Sequence, residues 1–568
     1  MSGATSAATV ARRFVPGDLD PGDLAALAAL SAGLAARPLP DLPALIAWIA
    51  DWDEWTAVAR ESYNQAYFQM TLDTRDTAAE AHYLRLVDEL LPLLERSQFT
   101  LQRRLLAAPA VAQLDPATYD VYLRDVRSQV ALFREENVPL QTEAQRLAQE
   151  YDKIVGQELV EFRGQARTMQ EMGVFLEEPD RAGREAAWRA REAVRAADEA
   201  ALDTLYDRML VVRRRIATQA GLSDYRAYSF AALLRFDYTP ADCRAFHDAV
   251  ERHVVPVVRT FNTRRRQRLG VPSLRPWDLQ VDPEGRPPLR PFADIPALSA
   301  GCQQIFTQVD PQFGDFYATM VAQGLLDLAS RPGKAPGAYC ESLPARRVPV
   351  IFMNAVGLKR DVDTLLHEAG HAFNYFLARD LPLLAYHVPG SEFAEVASQA
   401  MEYLARPYLG AFYAPEDLAR LRDEQLRAAL SFLPFMAMID AFQHWVYTTD
   451  NPGAASRRAK WAELEARFRP DLDWQGLEAT RDSGWQYPHI FDAPFYYVEY
   501  GIALLAALRV WLNSLADAPG AVAAYKQALA LGASRPLPAL FAAAGAEFGM
   551  DDRIVREIVA HTVAQIQE

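Results

Sequence analysis

Apolar residues between Leu42 and Leu106 return at three- and four-residue intervals, with Glu, Asp and Arg between them. That is the period of a helix with one buried face. The stretches 142–174, 180–220, 241–268 and 413–448 keep the same period. Strict alternation is scarce. Its best instance is 347–354, RVPVIFMN, a β-branched and aromatic run. The pattern predicts a mainly α protein with a small β-sheet, without internal repeats or low-complexity tracts.

Two segments interrupt the helical texture. The first, 271–291, is dense in proline, which removes backbone donors and ends helices, so a long irregular loop is expected. The second, 330–345, SRPGKAPGAYCESLPA, runs directly into the strand. Irregular backbone leading to an edge strand suits an extended ligand.

Composition narrows the field. The 568 residues are 50% hydrophobic and 23% charged, which excludes a disordered chain or a rod. The net charge of 59 − 74 = −15 argues against nucleic acid as a partner. The one dense basic run, Arg264, Arg265, Arg266 and Arg268, reads as a solvated helix end. The three cysteines, Cys243, Cys302 and Cys340, lack ligand spacing and suggest a reducing compartment. Segment 501–512 carries Arg509 and 431–447 carries Asp440, so neither reaches the roughly 18 clean apolar residues of a span. The first twenty residues lack the apolar stretch of an export signal. No membrane partner and a cytoplasmic location are expected.

Histidine is scarce, nine in the chain, yet two stand in His367-Glu368-Ala369-Gly370-His371. Chance would give H-E-x-x-H roughly 0.01 times in such a sequence. On a helix, positions i and i+4 share a face, so two imidazoles can grip one metal while Glu368 faces a water. Asp361 and Asp363 precede the motif as first-turn acids, and Asp380-Leu381-Pro382 ends the helix. The plain alternative is a pair of buried helix histidines.

Catalytic zinc takes three protein ligands and keeps an open position. A second helix, EFAEVASQAMEYLA, follows with Ser391 as its expected N-cap. It offers Glu392, Glu395 and Glu402. Glu395 lies 395 − 371 = 24 residues past the second histidine. Spacing leaves Glu392 and Glu395 open. Glu402, two turns on, suits an acceptor for a ligand histidine. Further along, His489, Tyr496, Tyr497 and Tyr500 form a dense set of donors. Such donors, aimed at a developing oxyanion, are each worth about 3 kcal/mol. The plain alternative there is an aromatic core stripe. His387 lies in the connector between the two helices. His82, His247, His253, His444 and His561 read as structural, and Cys340 as part of a loop wall rather than a nucleophile.

GAYC at 337–340, IFMN at 351–354, TLLHEAGHAF at 364–373, FAEVASQAMEY at 393–403 and PFYYVEYGIA at 494–503 together resemble the thimet oligopeptidase / oligoendopeptidase F family of zinc metallopeptidases. The short FAEVAS and PFYY motifs are closer to the oligoendopeptidase F branch. The resemblance covers most of the chain from about 165 onward. It implies an elongated helical body with a deep substrate cleft, the small sheet lying beside the H-E-x-x-H helix. It implies an N-terminal helical region over 1–165 and a catalytic domain over 166–568. It implies one Zn2+ per chain on His367, His371 and Glu395, with Glu368 as general base. His489 and Tyr500, with Tyr496 or Tyr497, are implied at the oxyanion. The mammalian branch spaces its tyrosines differently, and Pro494 sits near where that branch has one. His387 and Gly337, Ala338 and Tyr339 are implied on the substrate side, and the strand 347–354 with the GAYC loop would align an extended peptide. The expected activity is endopeptidase cleavage of oligopeptides. A helical zinc carboxypeptidase resembling carboxypeptidase Taq would have a histidine just before the third-ligand glutamate, where this chain has Ala394. A helical interaction protein without catalysis would not need every catalytic position intact.

Overall fold

The computed structural model describes residues 12–566 and is mainly helical. The helical run predicted from Leu42 becomes three helices, Leu42–Leu72, Thr77–Arg85 and Leu91–Ala107, the last two joined by a π-turn at Leu86–Leu90. The break has a local cause. The Asp76 carboxylate accepts from the backbone N–H groups of Ala78 and Ala79, which starts a new helix. The predicted stretch 180–220 is one helix, Arg181–Gln219, and 413–448 is Pro415–Thr448.

Residues 142–174 depart from expectation. The helix Val138–Gly156 stops early, and Leu159–Phe162 pairs antiparallel with Gln165–Thr168. Arg163 and Gly164 both have positive φ, 51° and 77°. Two left-handed residues in a two-residue loop match the strand twist and close a hairpin.

Two large cores and a small third one around Trp188 and Trp277 hold the described residues together. Residues between Val15 and Val126 form one, joined by Leu383 and Tyr386. Leu140 onward contributes to the other, much larger one. Tyr386 ties the connector to the first core: its hydroxyl donates to Thr118 O at 2.7 Å and accepts from Tyr122 N at 3.1 Å.

The sheet that matters has three strands in the order Leu326–Ala329, Val348–Ala355, Tyr339–Leu343. The predicted strand is therefore the middle one, parallel to the first and antiparallel to the last. This corrects the expectation that it would receive a peptide, because its backbone groups are already paired on both sides. The two outer strands are Leu326–Ala329 and Tyr339–Leu343, the second of which the sequence presents as a loop.

The helix Tyr497–Ala516 is long and apolar enough to cross a membrane, longer than the sequence reading of 501–512 allowed. In the fold 67% of its apolar window is buried in the protein, as a core helix requires.

The helices Lys359–Ala378 and Ser391–Leu404 cross in backbone contact. A Cβ added to Gly370 would lie 2.6 Å from both Ala397 O and Ser398 Cα. Backbone cannot yield as a side chain can, so only glycine fits. Replacing Gly370→Ala should destabilise the protein by about 1–3 kcal/mol, the usual range for overpacking. A denaturant melt of the two proteins checks this; an unchanged midpoint would show the helices separate freely.

Candidate active site

The helix Lys359–Ala378 is started by Asp361, whose carboxylate accepts from Val356 N at 2.7 Å and Leu358 N at 2.8 Å. Asp363 instead pairs with Lys359 at 2.7 Å. On the facing helix, Ser391 does not cap: it is the first helical residue after Gly390, and no side chain caps that end.

The crossing at Gly370 brings three groups together. His367 Nε2 lies 3.3 Å from Glu395 Oε2, and His371 Nε2 lies 3.8 Å from the same oxygen. All three candidate ligand atoms fall within 4.8 Å of one another. Bonds of about 2.0–2.1 Å to a tetrahedral zinc put neighbouring donors about 3.4 Å apart, so the set fits such an ion. Glu392 is turned elsewhere, accepting from Tyr238 at 2.7 Å beside Arg235. Tertiary packing thus separates the two glutamates that spacing left open.

Electrostatics agree with the geometry. Burial works against charge on Glu395, but His371 and then His367 outweigh it and hold the carboxyl at about 2. Burial also opposes charge on His367, yet Glu395 and Glu402 push its pKa well above the ordinary value. A pocket that favours both an anion and a positive charge suits a bound cation. Burial draws His371 down to about 4, leaving a neutral imidazole, the form that ligates a metal.

Each of these groups is held from behind. Glu402 Oε1 lies 2.7 Å from His367 Nδ1, which leaves Nε2 for the pocket. Tyr496 donates its hydroxyl to Glu395 Oε1 at 2.7 Å. Ser398 donates to Glu395 Oε2 at 3.0 Å. Ser398 was not singled out from the sequence, although its i,i+3 spacing from Glu395 carries the signal. Behind Tyr496, the buried Arg235 donates to Phe495 O and Glu499 Oε1, both at 2.5 Å. Phe495 has φ 68°, a strained conformation for a bulky residue, and this network holds it there. No spacing in the sequence announces Arg235.

The tyrosines separate by role. Tyr500 lies with its hydroxyl 3.3 Å from His489 Nε2. Tyr496 and Tyr500 line a hollow of about 290 Å³ with His367, Glu368, His371 and Glu395. Tyr497 does not line it. Its ring packs on Phe432, Phe435, Tyr487 and His489. Burial draws His489 down to about 4, so it stands neutral with an N–H to give. Burial raises Glu368 to about 7.

Ala338, Tyr339 and His387 line the same hollow. Tyr339 is fixed by Thr71, hydroxyl to hydroxyl at 2.6 Å, and by stacking on Phe352. Gly337 is not in the lining; its carbonyl accepts from Asn354 at 3.0 Å and its φ is 92°. His387 is buried, its Nε2 bonded to Leu381 O at 3.1 Å. An adjoining hollow of about 330 Å³ continues past His367 and His489 to Phe432, Tyr487, Tyr497 and Leu504. Among the five histidines read as structural, His253 pairs with Asp552, whereas His247 and His444 both meet Asp440.

Comparison with known proteins gives concordant matches. The Peptidase M3 N-terminal domain matches residues 35–133. A structure of Pz peptidase A with an inhibitor has a TM-score of 0.92 at 27% identity, covering 97% of this chain and 98% of that one. A structure described as oligoendopeptidase F has a TM-score of 0.91 at 28% identity over the same shares. An oligoendopeptidase F homolog of Borreliella burgdorferi is 23% identical over 344 residues. That alignment spans 56% of this chain and 56% of the curated relative, little more than half of either. Peptidase family M3 itself matches residues 174–560, which is most of the chain, and the chain belongs to that family.

Proposed function

We propose that this chain is a zinc-dependent endopeptidase that hydrolyses internal bonds of short peptides. The observation that carries the reading is the convergence of His367, His371 and Glu395 beside Glu368, in a hollow walled by the outer strand Tyr339–Leu343.

His367, His371 and Glu395 would hold the ion. When bound, it supplies a Lewis acid that polarises the scissile carbonyl and makes water nucleophilic near neutral pH. Glu368 carries the proton: its carboxylate takes one from the attacking water and passes it to the leaving amine nitrogen. Tyr500 O–H, in the lining of the hollow, and His489 N–H, 3.3 Å behind it in the adjoining one, are the donors for the oxyanion. Tyr496 acts through Glu395, and Glu402 through His367. The strand Tyr339–Leu343 pairs with Val348–Ala355 on one side only, and because Ser342 N and O are taken by Glu341 and Asn64, an extended substrate would add along its Tyr339–Glu341 part.

Endopeptidase action is favoured over carboxypeptidase action by the charges around the site. The only cation among the residues lining the two hollows is Lys359, already paired with Asp363 at 2.7 Å. A substrate's terminal carboxylate would find no free partner there.

A peptide of about ten residues blocked at both ends should be cut internally, with cleavage lost on chelation and restored by zinc. Mass spectrometry of the products decides; release of single residues only from free C-termini would replace this reading with a carboxypeptidase. Glu368→Gln should lower kcat by about 10²–10⁴-fold while bound metal stays at the wild-type level. The tyrosines should differ in kind. Tyr500→Phe should lower kcat about 10²–10³-fold with little change in KM. Tyr496→Phe should weaken metal affinity about 10–100-fold, read by competition with a chelator.

A further inference from the structure

We propose that the chain binds a second metal ion, away from the active site, in the core between the helices Pro240–Ala249 and Pro415–Thr448. Its protein ligands are Cys243, Asp440 and His444, and its donor set suits zinc.

Each helix carries a pair of potential ligands at i,i+4. Cys243 and His247 share a face of the first helix, and Asp440 and His444 share a face of the second. The helices pack together, so the two faces meet. The candidate ligand atoms of Cys243, Asp440 and His444 lie within 4.8 Å of one another. His444 Nε2 is 3.2 Å from Asp440 Oδ2, yet the two do not form an aligned hydrogen bond. This nearly repeats the 3.3 Å between His367 and Glu395. Donors that approach without bonding to each other are arranged as the edge of a coordination shell.

Unsatisfied polar atoms are the second observation. Asp440 is 0% exposed and His444 6%, with Cys243 also at 0%. Among the described residues, neither ring nitrogen of His444 has a hydrogen-bond partner, and neither does Asp440 Oδ1. Buried polar atoms are almost always paired, and leaving several orphaned at one point is costly. A dication would occupy that point and neutralise both a thiolate and a carboxylate. His247 completes the arrangement from outside, with Nε2 2.7 Å from Asp440 Oδ2. A ligating carboxylate held by such a bond is the usual supporting arrangement at a metal.

The position suggests what the ion does. Gln443, next to His444, accepts from Phe495 N, and the Phe495 ring packs 5.3 Å from that of His444. Phe495 precedes Tyr496, which holds Glu395. The ion would lock the floor beneath the strained Phe495 and so position Tyr496. Cys243, Asp440 and His444 act as structural ligands, with no contact to substrate.

The three ligands proposed for the first site include no sulfur, which makes the two separable. The full chain is produced in cobalt-supplemented medium, so that the ion is present while the core folds. Metal per chain and the absorption spectrum are then measured. About two ions per chain are expected, with the near-ultraviolet thiolate-to-cobalt band that only a cysteine ligand gives. His371→Ala should lose one ion and keep the band; Cys243→Ser should lose the other ion and the band. A folded wild-type protein with one ion and no thiolate band overturns the proposal, and that reading needs no substitution in the core. The result is independent of peptidase activity, so it stands or falls apart from the proposed function.

Discussion

Backbone contact at Gly370 is the constraint from which the site follows. A helix pair separated by ordinary side chains would hold its axes 8–10 Å apart. Here the absent Cβ lets Gly370 rest on Ala397 and Ser398. That close crossing places Glu395, in the first turns of one helix, beside both histidines of the other. The crossing is pinned from a third side: Tyr525 donates to Ala397 O at 2.6 Å, and Asn374 donates to Leu529 O at 2.9 Å. The residue between Ala369 and His371 is thus a packing residue that decides a chemical distance.

Around this crossing the polar groups are layered. Glu402, Ser398 and Tyr496 bind the ligand side chains, and Arg235 with Glu499 binds the backbone that carries Tyr496. Arg235 is fully desolvated, and such a charge is tolerated only when opposite charges surround it, as Glu499 and Glu392 do here. The consequence is rigidity. Ligand rotamers are fixed by partners, whose own positions are fixed by a buried ion pair. The Cys243, Asp440 and His444 cluster would extend this layering one step deeper, under Phe495.

Much of the helical plan was legible because a 3.6-residue period is a local property. Arg181–Gln219 and Pro415–Thr448 follow it closely. Departures arose where a short polar device outweighed periodicity, as at the Asp76 cap and the Arg163-Gly164 turn. The edge strand Tyr339–Leu343 was hidden for a different reason. It has no strong alternation, and it is a strand because Val348–Ala355 supplies its hydrogen bonds. The meeting of Cys243 with Asp440 and His444 is not legible within either helix, because the spacing that matters there spans two helices.

By itself the sequence determined a mainly helical chain, the pair of histidines on one helical face with Glu368 beside them, and a short set of carboxylates and phenols to accompany them. These rest on spacings of three and four residues, which helix geometry converts directly into a shared face. Only the tertiary structure decided that Glu395 and not Glu392 reaches the histidines, that Tyr500 lines the hollow beside them while Tyr497 lines only the adjoining one, and which outer strand walls that hollow. Those outcomes depend on how far apart two helices sit and which backbone groups are already paired. Distances of that kind are set by contacts between residues remote in the chain, and no local pattern encodes them.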